Sequence, residues 1–210
     1  MMHLRSYILS CLVIGMLASC SSDDSVAKEN GTELKMDSST LVPNQLAVKT
    51  LEQLTDAKGI IGLFDVPEML TITKMDSANL PNVAKKIATN FGIVQKDMAY
   101  IKAEMNGSAG AIYYNNDTSN FIFECVIPIK EMPKVQPKKS QVVVLEATKM
   151  LIYNYYGPYQ NLFTAYAEIK SYCDQHKIEQ SGPMREFYIT DPVAVKDSMQ
   201  WLTRIMVPVK

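Results

Sequence analysis

A strand followed by a helix is predicted by residues 150–176, MLIYNYYGPYQNLFTAYAEIKSYCDQH. The first part, Met150–Tyr155, is a short apolar and aromatic run of the kind that forms buried strands. From Tyr159 to His176 the apolar residues recur at the spacing of one helix face. That stripe consists of Leu162, Phe163, Tyr166, Ile169 and Cys173.

The same order of elements occurs earlier in the chain. Met69–Met75 is strand-like and opens with the Met-Leu pair that also opens Met150–Tyr155, 81 positions later. A helix is predicted over Ala78–Phe91, whose apolar stripe consists of Val83, Ala84, Ile87 and Phe91. The chain therefore contains an internal repeat, and each copy begins with a strand and a helix.

Each helix leads to two further predicted strands. They are Ala111–Tyr114 and Phe121–Ile129 in the first copy, and Met184–Thr190 and Trp201–Val209 in the second. The last strands end alike, in VIPI and MVPV, at an offset of 80 positions. We therefore predict an α+β domain of duplicated β-α-β-β units, which form one antiparallel sheet with helices on one face and a groove between the halves.

The N-terminus has the features of a bacterial lipoprotein signal. Arg5 precedes the apolar run Tyr7–Ala18, which is shorter than the roughly 20 residues of a transmembrane helix. The run ends in Leu17-Ala18-Ser19-Cys20, which resembles a lipobox, the motif whose cysteine receives acyl chains such as palmitate. We predict a signal peptide over residues 1–19 and a lipidated Cys20, with an ordinary secretory signal as the alternative. The protein would then be held at the cell envelope.

Composition defines the remainder of the chain. Asp23-Asp24 resembles an export signal for outer-membrane lipoproteins, and the following residues are rich in Ser, Asp, Lys, Asn and Thr. We therefore predict a flexible tether over residues 20–57 and one domain over residues 58–210. The formal net charge is −1 and no basic patch is present, so nucleic acid is not an expected partner.

Cysteine and histidine are sparse in the predicted domain. Cys125 and Cys173 either form a disulfide or remain as two free thiols, and the sequence leaves both open. His176 is the only histidine after the signal peptide, and no CxxC or HExxH motif is present. We therefore expect neither a metal nor another cofactor.

The order of motifs in the second copy resembles the GyrI-like effector-binding domain. These motifs are Tyr156-Gly157-Pro158-Tyr159, a helix, Gly182-Pro183 leading to Glu186-Phe187-Tyr188, Asp191-Pro192, and a last strand that closes on Val207-Pro208-Val209. The resemblance covers about residues 60–210. This domain forms the ligand-binding half of AraC-type and MerR-type multidrug regulators, and it also occurs alone.

The resemblance implies a small-molecule pocket that is lined by aromatic side chains. In the multidrug-binding members a buried glutamate receives cationic amphipathic ligands, and Glu186 is the matching residue. Some stand-alone members are hydrolases of cyclopropane-containing compounds. The helix-turn-helix of the regulators finds no room in the predicted signal and tether, so we expect the fold to carry over without their role on DNA.

Strand alternation places Glu186 and Tyr188 on one face of the sheet, and alignment of the repeats sets Ala111 at the position of Glu186. A carboxylate among aromatic rings would have a raised pKa and would attract an organic cation. The candidate rings are Tyr113, Tyr156, Tyr159, Phe163, Tyr188 and Trp201. The alternatives for Glu186 are a solvent-facing side chain or an ion pair with Arg204, and Glu124 is expected to face solvent.

Three functions follow as hypotheses. The first is a lipid-anchored domain that binds a small, apolar and cationic molecule through Glu186. The second is a hydrolase of strained or electrophilic compounds, with Glu186 as acid or base and Tyr188 or Tyr156 as donor. The third is a scaffold that works by protein contact. No catalytic residue is assigned, because a single histidine leaves little choice of base.

Overall fold

The structure is a computed structural model, and it describes residues 46–210. The predicted signal peptide, the predicted lipobox with Cys20 and most of the predicted tether lie outside the described residues. Within residues 46–210, no helix combines the length and the hydropathy that a membrane span requires.

The described residues form nine strands and two helices. In chain order they are β1 (Val48–Lys49), β2 (Gly59–Val66), β3 (Met69–Ala78), α1 (Leu80–Ile101), β4 (Gly110–Tyr113), β5 (Phe121–Pro128), β6 (Gln141–Leu145), β7 (Thr148–Tyr156), α2 (Leu162–His176), β8 (Met184–Tyr188) and β9 (Leu202–Pro208). A 3-10 turn, Tyr159–Asn161, leads directly into α2.

All nine strands belong to one sheet, in the order β1-β2-β7-β9-β8-β4-β5-β3-β6. Every pair is antiparallel except β1 with β2, which run parallel. The predicted α+β class, with one large antiparallel sheet and two helices, is confirmed. The two halves meet in the middle of the sheet, where β8 pairs with β4.

Each repeat begins with a strand that the sequence analysis did not predict. These strands, β2 and β6, are exchanged: β2 pairs with β7 of the second repeat, and β6 pairs with β3 of the first. Only Pro67 and Glu68 join β2 to β3, although the two strands stand far apart in the strand order. The sheet must therefore curl until its ends approach each other. Strand β2 was not predicted because Gly59 and Gly62, near its start, are residues that weaken a strand pattern.

The curl gives the sheet an outer face under the helices and an enclosed inner face. On the outer face, α1 packs on β3 and β5, and α2 packs on β7 and β9. The inner face holds a separate apolar core that includes Phe64, Ile112, Phe187 and Met206. Side chains that alternate along β8 therefore reach two different environments.

Both helices differ from their predicted form. Helix α1 continues from Phe91 to Ile101, because Val94 and Met98 extend its buried stripe past Gly92. That burial outweighs the cost of about 1 kcal/mol that glycine imposes within a helix. In α2, Phe163 was predicted to be in the buried stripe, but 56% of it is exposed. Leu162 and Ile169 of the predicted stripe are buried, and Ala165 is buried with them.

The described residues begin at residue 46, inside the tether that was predicted over residues 20–57. We call residues 46–57 the N-terminal strap. Asn154, which is fully buried, donates two hydrogen bonds to carbonyl groups of the strap, at 2.7 and 3.0 Å. Arg204 forms a 2.6 Å ion pair with Asp56 of the strap. The strap is therefore fastened to β7 and β9 by polar groups inside the domain.

Candidate functional site

Glu186 lies in β8 with its side chain on the outer face, beneath the helices. Only 2% of the residue is exposed. Its partners across the strands are Ala111 of β4 and Ile205 of β9. Because the side chain of Ala111 is small, there is space beside the Glu186 carboxylate for larger side chains.

Tyrosine hydroxyl groups surround the carboxylate. Tyr166 of α2 donates a hydrogen bond to Glu186 Oε1, and Tyr188 donates one to Oε2 at 3.1 Å. The hydroxyl of Tyr113 lies 3.5 Å from the hydroxyl of Tyr188. We refer to Glu186 with Tyr113, Tyr166 and Tyr188 as the tyrosine cluster. It joins β4, β8 and α2 in one polar network within an apolar core.

The carboxylate in this cluster has no cationic partner. Among residues 46–210, no Lys or Arg lies within ion-pair distance of Glu186. Burial raises the pKa of Glu186, and the hydrogen bonds from the tyrosines only partly oppose that rise. Burial and the nearby carboxyl group raise the pKa of each tyrosine of the cluster well above its ordinary value. The tyrosines therefore remain donors throughout the neutral range.

Aromatic rings cover the cluster. The ring of Tyr159 meets that of Tyr188 edge to face at 5.4 Å and lies 5.0 Å from that of Trp201. Phe91 of α1 contacts Tyr188 from another side, with ring centres 6.4 Å apart. Trp201 is fixed by a 2.8 Å hydrogen bond from its Nε1 to the carbonyl of Val195. Rings from both repeats thus pack on or next to Tyr188, which donates a hydrogen bond to the Glu186 carboxylate.

The structure brings together five of the seven predicted site residues: Glu186, Tyr113, Tyr159, Tyr188 and Trp201. Tyr156 is elsewhere, because its hydroxyl donates to the carbonyl of Asp56 in the strap at 2.9 Å. Phe163 is mostly exposed and takes no part in the cluster's hydrogen bonds or ring contacts.

Tyr166 and Phe91 were missed as site residues. The sequence analysis places Tyr166 in the apolar stripe of α2 and does not include it among the candidate site residues. A tyrosine in a buried stripe must find a polar partner for its hydroxyl, and that requirement was a usable signal. Phe91 offered no such signal, since a phenylalanine in a stripe is ordinarily a core residue.

The alternatives for Glu186 are wrong, and so is the expectation for Glu124. Glu186 does not face solvent, and Arg204 contacts Asp56 and Asn154 on the other face of the sheet. Glu124 was expected to face solvent, but it is only 7% exposed and accepts a 2.6 Å hydrogen bond from Tyr114. It faces the inner side because its neighbours in β5, Phe123 and Cys125, occupy the helix side.

Glu186 is buried, whereas Tyr113 and Tyr188 of the tyrosine cluster are partly exposed. Two surface cavities, of about 450 and 540 Å³, lie elsewhere: one is beside the start of α1 and the other is around the β2–β3 turn. Glu186 lines neither of them. Cys125 and Cys173 are both free thiols. In the described range, no three His, Cys, Asp or Glu side chains are grouped as metal ligands would be.

Comparison with solved structures shows the same fold in several proteins. The EcmrR C-terminal domain is 20% identical with a TM-score of 0.65, and the match covers 71% of this chain and 96% of that domain. For the EcmrR chain in its DNA complex the identity is 20% and the TM-score is 0.63. That match covers 71% of this chain and only 56% of the EcmrR chain.

Two further structures share the fold at lower identity. A hydrolase encoded by lin2189 from Listeria innocua is 12% identical with a TM-score of 0.51, over 73% of this chain and 92% of that one. SAV2435, solved with bound tetraphenylphosphonium, is 16% identical with a TM-score of 0.50, and the match covers 73% of this chain and 94% of SAV2435. At these identities the likeness establishes the fold alone.

The family assignment comes from the sequence itself. No curated protein matches the chain. The family model for the GyrI-like small molecule binding domain matches residues 74–210, which include every strand and helix from α1 onward and the whole tyrosine cluster. The chain belongs to the GyrI-like small molecule binding domain family.

Proposed function

We propose that this chain binds an apolar organic cation, with Glu186 as the anionic contact. The observation that carries the proposal is a carboxylate, buried to 2% exposure, that has hydroxyl donors but no cation beside it. Taking a carboxylate out of water costs several kcal/mol unless a positive charge compensates for the lost hydration. A cationic ligand would supply that charge.

The surroundings favour an organic cation over a metal ion. The ring of Tyr188, whose hydroxyl bonds the carboxylate, packs against Tyr159, and Tyr159 packs against Trp201. A cation over such rings gains about 0.5–2 kcal/mol per well-placed ring. A metal ion would need several oxygen, nitrogen or sulfur ligands, whereas the cluster offers one carboxylate. The bound tetraphenylphosphonium of SAV2435 is a ligand of the proposed kind in a protein of the same fold.

We expect part of the aromatic cover to move on binding, since Glu186 is only 2% exposed. Tyr159 belongs to the 3-10 turn Tyr159–Asn161, which lies between β7 and α2 and is part of no strand pair. Displacing Tyr159 would expose Tyr188 and Glu186 without breaking any strand pair. We therefore expect entry on the side of Tyr159 and Trp201.

We also propose that the domain works outside the cytoplasm, anchored through acylated Cys20 to the outer membrane. The lipobox and the acidic pair behind it support this placement. Several acyl chains anchor a protein stably where a single chain does not. At the cell envelope the domain would sequester or sense its ligand, with no role on DNA.

Titration with tetraphenylphosphonium tests the proposal, with Trp201 as an internal probe because it is the only tryptophan. We expect saturable quenching in the wild type and at least a tenfold loss of affinity in Glu186→Gln. Glu124→Gln is the matched control, since Glu124 is also buried and also accepts a tyrosine hydroxyl but faces the inner side. Equal binding by the wild type and Glu186→Gln, or no binding across a panel of organic cations, would contradict the proposal.

A further inference from the structure

Thr203 carries a buried hydroxyl group without a hydrogen-bond partner. The residue is fully buried in β9, and its Oγ1 has no partner within the described part of the chain. Its cross-strand neighbours are Tyr155 of β7 and Tyr188 of β8. Since Tyr188 belongs to the tyrosine cluster, Thr203 borders the proposed site directly.

The hydroxyl lies on the same face of the sheet as the Glu186 carboxylate. Glu186 pairs with Ile205, two residues beyond Thr203 in β9, so Thr203 and Glu186 are diagonal neighbours. Such neighbours are about 7–8 Å apart between Cα atoms, and their side chains project in the same direction. One small ligand can therefore contact both groups.

The turn that covers the cluster contacts both cross-strand neighbours of Thr203. Tyr155 donates a hydrogen bond to the carbonyl of Pro158 at 3.1 Å, and the ring of Tyr159 packs on Tyr188 at 5.4 Å. Tyr155, Thr203 and Tyr188 lie side by side on β7, β9 and β8, with Thr203 in the middle. The Pro158–Tyr159 segment therefore contacts the residue on each side of Thr203. Movement of Tyr159 would free the ring of Tyr188, which is next to both Thr203 and the Glu186 carboxylate.

Packing alone does not account for a threonine at this position. A buried hydroxyl without a partner destabilises the folded protein, and valine has nearly the same shape without that cost. Thr71, which is also fully buried, shows the ordinary arrangement, because its hydroxyl donates to the carbonyl of Val143 at 2.8 Å.

We infer that Thr203 is a second polar contact for the ligand and that the site prefers protonated amines to fully substituted cations. This inference rests on the proposed function. A protonated amine has several N–H donors, so it can pair with the Glu186 carboxylate and donate a further hydrogen bond to Thr203 Oγ1. A quaternary ammonium has no N–H and can use only charge and ring contacts.

Calorimetric titration with naphthylmethylamine and its trimethylammonium analogue tests the inference. We expect the wild type to bind the amine more tightly. In Thr203→Val we expect the affinity for the amine to fall about three- to tenfold, the loss of one hydrogen bond, with the affinity for the analogue unchanged. Thr203→Ser retains a hydroxyl and should retain the preference, and Thr71→Val should change neither affinity.

Two results would overturn the inference. One is an unchanged ratio of the two affinities in Thr203→Val. The other is a Thr203→Val protein that fails to fold, because a hydroxyl without a structural partner should be dispensable for folding. Failure of the proposed function is a different result: neither probe would bind the wild type, or Glu186→Gln would bind both as well as the wild type does.

Discussion

Ala111 and Glu186 are direct cross-strand partners at the junction of the two repeats, where β4 pairs with β8. They occupy equivalent positions in the repeats, so a single carboxylate stands where strict symmetry would place two. Two buried carboxylates side by side would repel each other and share a proton. One carboxylate beside a methyl group can pair with a single positive charge. Only the second repeat therefore contributes an anionic group at this position.

Replacing Glu186 by glutamine should stabilise the ligand-free protein at mildly alkaline pH. The pKa of Glu186 is raised in the folded state, so ionisation opposes folding, and stability falls as pH rises from 4.5, the ordinary glutamate value, through the folded pKa. We expect Glu186→Gln to be more stable than the wild type above that range, and the difference to shrink as pH falls toward 4.5. Urea unfolding across pH measures the difference, and a pH-independent difference would argue against an ionisable group in the core.

Removing the Tyr166 hydroxyl should weaken cation binding. Tyr166 donates to Glu186 Oε1, so Tyr166→Phe leaves the ionised carboxylate with less support and raises the pKa of Glu186 further. We expect an affinity loss of about tenfold at neutral pH, consistent with one charge-assisted hydrogen bond. The pH midpoint of binding should also move upward.

Tyr153→Phe provides the control for that substitution. Tyr153 donates to Glu168 of α2 at 2.6 Å and is outside the tyrosine cluster. It should leave both the affinity and the pH midpoint unchanged. If both tyrosine variants had the same effect, the loss would be one of general packing against α2.

The sequence predicted much of the fold because the same order of strands and helix occurs twice in the chain. Matched strands, helices and Pro-bearing last strands reveal the βαββ order and the position of Glu186. The exchanged strands β2 and β6 could not be predicted in the same way, because each pairs with the opposite repeat. Pairing at that sequence distance leaves no local pattern.

The site was predicted unevenly for a related reason. Alternation along β8 fixes the face of Glu186 and Tyr188, so these two follow from the strand alone. Tyr156 follows the opposite alternation in β7 and reaches the strap, which sequence analysis had assigned to a flexible tether. The placement of Tyr156 could not be foreseen without knowing that the strap is ordered.

Deleting the N-terminal strap should destabilise the domain. A chain that starts at residue 58 leaves the buried amide of Asn154 and the guanidinium of Arg204 without their strap partners. We expect it to lose about 2–4 kcal/mol relative to a chain that starts at residue 46. Urea unfolding of the two chains measures this, and identical midpoints would show that the strap contributes nothing to stability.

Substituting Cys20 should release the protein from membranes. If Cys20 is acylated, Cys20→Ala will abolish labelling by a palmitate analogue and move the protein from the membrane fraction to the soluble one. Cys11→Ala is the matched control, because Cys11 lies inside the predicted signal peptide and should leave labelling intact. A labelled Cys20→Ala protein would contradict the lipobox assignment.

The central claim concerns where a cation binds, and a crystal structure with tetraphenylphosphonium tests it most directly. The account predicts that the phosphonium lies between Tyr159, Trp201 and Glu186, with Tyr159 displaced from its contact with Tyr188. A ligand in either surface cavity, with the aromatic cover of Glu186 undisturbed, would contradict it.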